Sequence, residues 1–111
     1  MSVVTLLQLF DPLELAASPE TVYTSTVKTK ITRLTFTNTT IVTRYVTVHY
    51  VLSGDSFDDT NIVCNTFPIG PLKSIAPYFL EGHVLEAGSF ISMGADATSS
   101  VTAVGSGMTI V

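Results

Sequence analysis

Hydrophobic and polar residues alternate with a period of two along much of this chain, and the 3.6-residue period of an amphipathic helix is weak throughout. The longest alternating run is Ile41 to Leu52. Its even positions are Val42, Arg44, Val46, Val48, Tyr50 and Leu52, and its odd positions are Ile41, Thr43, Tyr45, Thr47, His49 and Val51. The even set is the more apolar, so it is expected to face a core, with Arg44 near an edge. Ile31 to Thr37 reads as a second strand in which Leu34 and Phe36 share a face. Ile31 lies out of phase with them, which predicts a bulge or an early end to alternation. Asn38-Thr39-Thr40 has turn chemistry, so the two runs are expected to form a hairpin.

The remaining segments are shorter. Val3 to Phe10 is apolar and is expected to be a first strand or an arm, broken by Asp11-Pro12. Leu13 to Leu15 fits a short extended piece or one helical turn. Ser18-Pro19-Glu20 is a turn, and Thr21 to Ser25 a short strand. Ser53 to Thr60 is a polar loop. Asn61 to Phe67 is expected to be a strand with Ile62 and Cys64 on one face. Pro68, Gly70 and Pro71 interrupt the chain, and Pro77 to Leu80 reads as short and extended. Turn signals at Glu81-Gly82 and Ala87-Gly88 flank Val84 and Leu85. Phe90 to Met93 is a strand with Ile91 and Met93 facing in, followed by a loop over 94–100. Val101 to Val111 closes the chain as a strand pair or a bent strand, kinked near Gly105 and Gly107. About eight short strands separated by turns predict an all-β antiparallel sandwich or barrel. No linker or charge block divides the chain, so residues 1–20 are read as an N-terminal arm or first strand and residues 21–111 as one β-sandwich domain.

Composition narrows the functional classes. A chain of 111 residues is one domain. Charged residues are 13% of it, against about 25% in an ordinary domain, and Thr is abundant. Burying hydroxyls costs less than burying ions, so a Thr-rich surface with few charges suits contact with other protein. Thr also serves strand formation directly, being β-branched. The net charge is −4. Nucleic-acid binding needs clustered Lys and Arg, and the nearest approach here is Lys28, Lys30 and Arg33, interrupted by Thr29, Ile31 and Thr32. No stretch nears the roughly 20 apolar residues of a membrane-spanning helix. The apolar N-terminal run lacks a preceding Lys or Arg and is interrupted by Gln8, so it is read as mature protein.

Catalysis needs converging groups, and none is legible. His49 falls on the expected outer face of its strand and His83 in a turn, so both are expected at the surface. The serine-containing Gly motifs lack the spacing of a nucleophile elbow, and no phosphate-binding Gly motif is present. Asp55, Asp58 and Asp59 cluster in one loop without calcium-loop spacing, and a solvated loop is expected. The single Cys64 has no nearby His or Cys to share a metal, so a core thiol is expected. The reading is of a protein without catalytic, cofactor-binding or metal-binding residues. The apolar residues Val3, Val4, Leu6, Leu7, Leu9 and Phe10 are the candidate protein-contact set, because they must pack on their own core or on a neighbour.

Three stretches carry a resemblance: Thr21-Val22-Tyr23-Thr24, Ile31-Thr32-Arg33-Leu34-Thr35-Phe36-Thr37-Asn38-Thr39-Thr40, and Val46-Thr47-Val48-His49-Tyr50-Val51. With Val84-Leu85-Glu86-Ala87-Gly88-Ser89-Phe90-Ile91-Ser92, they resemble small jelly-roll-like virion proteins of tailed bacteriophages. The resemblance covers residues 21 to 111. It implies a jelly-roll-like β-sandwich that binds and stabilises a capsid as a decoration or staple protein. Its implied partners are the major capsid protein or other virion subunits, with homo-oligomers in the assembled particle and no nucleic acid or membrane. The implied location is the virion, after synthesis in the host cytoplasm. A tail or fibre module recognising a host surface glycan is the alternative, with Phe57, Tyr78 and Phe79 stacking on sugar rings.

Overall fold

The structure, a computed structural model, describes residues 3–111. Among the described residues nine strands form two antiparallel sheets. They are β1 (Val4–Glu14), β2 (Glu20–Thr24), β3 (Lys28–Asn38), β4 (Arg44–Val51), β5 (Ile62–Ile69), β6 (Ser74–Ile75), β7 (Val84–Leu85), β8 (Phe90–Ala95) and β9 (Val101–Ile110). One sheet has the order β1-β9-β3-β6, with β7 also on β3, and the other has the order β2-β8-β4-β5. The pairs β1·β9, β2·β8, β3 with β6 and β7, and β4·β5 are the rungs of one long antiparallel ribbon. Loop 52–61 is the tip of that ribbon. Wrapping it so that β9 also meets β3 and β8 also meets β4 gives the two-sheet order of a jelly roll.

The alternation places the core as expected over much of the chain. Leu34, Phe36, Val46, Val48, Cys64, Ile91 and Met93 all lie in the cluster between the sheets. Burying a side chain of the Leu or Phe class contributes about 1.5–3 kcal/mol. The break in phase at Ile31 is real: the β3·β9 register shifts between Ile31 and Arg33.

Several expectations change. The runs 31–37 and 41–52 do not form a hairpin, because β3 and β4 belong to different sheets. Residues 39–43 cross between the sheets, and the hairpin partner of β4 is β5. Asp11-Pro12 does not end the first strand. β1 continues through it to Glu14 with register shifts after Gln8 and after Phe10. Pro12 is tolerated because β1 lies at a sheet edge, where a missing N–H breaks no ladder bond. The 77–80 segment is a 3₁₀ turn (Tyr78–Leu80) that inserts Leu80 into the core. Ile62 and Cys64 lie on opposite faces. Ile62 pairs with His49 and Cys64 with Val48, so the two residues 62 and 64 match adjacent positions of β4, which is a bulge.

The last strand is single rather than a strand pair, continuous through both glycines between β1 and β3, and both neighbours shift register against its residues 105–107. Gly105 reports a close approach there. A Cβ at this position would sit 2.7 Å from Cε1 of Phe10 and 2.8 Å from Cδ2 of Leu34. The two large side chains occupy the space over the glycine.

Candidate functional site

A groove of about 440 Å³ crosses the outer face of the β2-β8-β4-β5 sheet. The odd positions Tyr45, Thr47 and His49 of β4 and Gly94 of β8 lie along it. One wall is the β4–β5 loop with Phe57, Asp58 and Asp59, continued by Ile62 and Thr66 of β5. The other is the β1–β2 connection with Ala17 and Pro19. Gly94 makes this second wall possible. A Cβ there would lie 2.6 Å from the carbonyl carbon of Ser18, so only glycine lets the connection lie against the sheet. The Ala95 N–H donates to the Ala16 carbonyl at 2.8 Å and pins it.

His49 departs from the expectation of a surface residue. It is 4% exposed, held under Phe57 with ring centroids 5.2 Å apart. Its Nδ1 lies 2.9 Å from Oδ1 of Asn61. The Asn61 amide is oriented by two backbone groups: Nδ2 donates to the Ser56 carbonyl at 2.9 Å, and Oδ1 accepts the Asp58 N–H at 3.1 Å. Oδ1 is therefore an acceptor toward His49, so Nδ1 carries the proton and donates. Nε2 has no hydrogen-bond partner among the described residues. Ser92, the cross-strand neighbour of His49, has a buried hydroxyl without a partner.

Carboxylates line the groove. Asp58, Asp59 and Asp96 line it, and no lining residue is Lys or Arg. The Thr60 hydroxyl and N–H both donate to Asp58 Oδ1 and hold its carboxyl below the ordinary value. Asp96 is paired with Arg44 at 3.9 Å. Among the described residues no group of three His, Cys, Asp or Glu is placed to hold a metal ion. The groove thus offers acceptors beside aromatic walls.

The candidate contact residues divide along β1. Leu9 and Phe10 lie in the core and Leu7 packs against it, whereas Val3, Val4 and Leu6 are exposed, Leu6 to 75%. Val3 and Val111 exchange both backbone hydrogen bonds, at 2.6 and 2.9 Å. Alternation then turns the peptide groups of Thr5 and Leu7 toward β9, and those of Val4, Leu6 and Gln8 outward. β1 has no strand on that outer side among the described residues. The register aligns Val4 with Ile110 and Lys28, and Leu6 with Met108 and Lys30. This outer face is therefore an apolar strip with two lysines beside it.

Of the three loop aromatics, Phe57 lines the groove, while Tyr78 and Phe79 sit apart on the 3₁₀ turn. Tyr45 and His49 were hidden from a sequence reading because they occupy the polar phase of the long run. The burial of His49 and the groove beside Tyr45 depend on a loop and a connection folding over that face. Comparison of the chain with protein-family models, curated proteins and solved structures finds no match.

Proposed function

We propose that this chain is a structural virion protein that binds and stabilises a tailed-bacteriophage capsid as a decoration or staple. The supporting observation is the uneven treatment of the β1 edge. Its second half is blunted in the ways that keep edge strands from pairing: two register shifts, Asp11, Pro12, Glu14, and the Gln8 side chain donating to the Phe10 carbonyl at 3.1 Å. Its first half has none of these. Val4 to Gln8 is regular, uncharged and carries exposed Val4 and Leu6. An edge of this kind accepts a strand from another polypeptide, with main-chain bonds giving affinity and alternate side chains giving register. A capsid subunit is the strand donor in this reading, and the adjoining strip of Met108 and Ile110 is covered with it.

The test mixes the purified chain with undecorated shells assembled from the capsid protein of the same genome. Co-sedimentation and a raised shell melting temperature are expected, and Leu6→Lys removes both while leaving the free chain folded. Absence of binding and of stabilisation by the unaltered chain overturns the proposal. The glycan-binding alternative draws support from Phe57 alone, the one loop aromatic placed in a groove.

A further inference from the structure

We propose that the groove on the outer face of the β2-β8-β4-β5 sheet is a recognition site for an arginine side chain displayed by a partner protein. The inference stands on the groove alone and does not need the β1 edge to be the assembly surface. Three features select this ligand. First, the site is rich in acceptors: the carboxylates of Asp58, Asp59 and Asp96 line it, and the unpartnered Nε2 of His49 is a fourth in the neutral ring. Guanidinium has five N–H donors and no acceptor, so every polar atom it brings in matches. Second, the walls are aromatic. Phe57 is 46% exposed and Tyr45 is 42% exposed, so each keeps free surface at the groove for a planar cation to cover. Third, the His49 ring is fixed in place. The ring is held by Asn61 at Nδ1 and by Phe57 on its face, so Nε2 needs no reorganisation to receive a donor.

Other small ligands fit less well. A carboxylate or phosphate meets three like charges. A neutral sugar finds aromatic surface and can donate its hydroxyls to the carboxylates, but it brings no positive charge to offset them. A lysine ammonium matches the charge without the flat face that stacks on Phe57. Asp96 has a dual position, since it already pairs with Arg44 at 3.9 Å on the rim. That contact shows the same carboxylate–guanidinium chemistry at one end of the groove.

The probe is the peptide acetyl-Gly-Ala-Arg-Ala-Gly-amide, titrated into the ¹⁵N-labelled full chain at low salt. A citrulline version, which is isosteric and uncharged, and a neutral disaccharide serve as controls. Saturable shifts at the amides of Thr47, His49 and Gly94 are expected with the arginine peptide. The citrulline peptide should bind at least about tenfold more weakly, equivalent to about 1.4 kcal/mol. Asp59→Lys, at an exposed loop position, should weaken arginine binding by a similar factor. Its unchanged amide spectrum outside the groove would show the fold intact. Phe57→Ala provides a second variant that leaves the charge alone and should also weaken binding. Equal binding of the citrulline peptide, binding of the disaccharide without the arginine peptide, or no saturable shifts in the groove would each overturn the proposal.

Discussion

At the scale of single residues, the interior selects the protonation state of two groups. Burial pushes the Cys64 thiol up to about 11, and Cys64 is 3% exposed. Burial also pushes the Tyr50 phenol far above its ordinary range, with Cys64 adding a smaller upward push, while its hydroxyl donates to the Leu80 carbonyl at 2.8 Å. Both groups are neutral when protonated, and both hold the proton more tightly folded than unfolded. Their contribution to stability is therefore fully present below the unfolded values, near 9 for the thiol and 10 for the phenol. It is lost as pH rises through the folded values. The Cys64 part should disappear between about pH 9 and 11, at up to about 1.4 kcal/mol per pH unit. Urea midpoints at stepped pH check this. Cys64→Ala should flatten the fall between pH 9 and 10, leaving the steeper decline from Tyr50 above that range. A variant curve parallel to the unaltered one would count against the assignment. Cys64 was legible in the sequence because a lone thiol in an apolar run has few places but the core. His49 was not, since its burial comes from Phe57 and Asn61, residues a loop away.

At the scale of elements, the joints decide what alternation alone does not. Asn38-Thr39-Thr40 reads correctly as a change of direction, but its sequence does not distinguish a hairpin from a crossing between sheets. The difference lies in where the side chain of Asn38 points. It is fully buried, and its Nδ2 donates to the carbonyls of Val42 at 2.7 Å, Ile69 at 2.9 Å and Gly70 at 3.2 Å. Its Oδ1 accepts the Thr40 N–H at 2.8 Å. One amide thus ties the end of β3 to the approach to β4 and to the end of β5. Asn38→Ala leaves these backbone groups without their partner, which costs about 1–3 kcal/mol. Urea unfolding should show that loss with an unchanged slope. Asn38→Asp should fare no better, because it replaces the donating amide by an acceptor facing three carbonyls. The bulge at Ile62–Cys64 was likewise illegible: period-two counting puts the two residues on one face, and a single extra residue reverses the outcome. The groove depends on that reversal, which supplies Ile62 to its wall.

At the scale of the whole molecule, the chain closes on itself through its two ends. β1 pairs along β9, and β9 fills the centre of its sheet between β1 and β3. The apolar pattern of residues 3–10 left two structures open, an arm or a first strand, and composition alone could not separate them because either would be hydrophobic. The exposures separate the segment by position instead: Leu9 and Phe10 are at most 9% exposed, while Val3, Val4 and Leu6 are all above 50%. Removing residues 1–10 and replacing Leu6 alone should therefore have different outcomes. The deletion takes Leu9 and Phe10 from the core, about 1.5–3 kcal/mol each. It also strips most of the hydrogen-bonding partner from β9 and uncovers Gly105, whose lack of a side chain leaves the space Phe10 fills. Against a total stability of about 5–15 kcal/mol, that combination should unfold the domain or leave it marginal. Leu6→Lys changes an outward side chain and should shift the melting temperature little, since surface substitutions stay within about 0.5 kcal/mol. Circular dichroism melts of the two variants make the comparison. A deletion variant that melts like the full chain would mean that β1 is dispensable to the sandwich, and the segment would then be an assembly arm along its whole length. A Leu6→Lys variant that fails to fold would instead place the exposed half of β1 among the residues the sandwich needs, and would remove the basis for treating that edge as reserved for a partner.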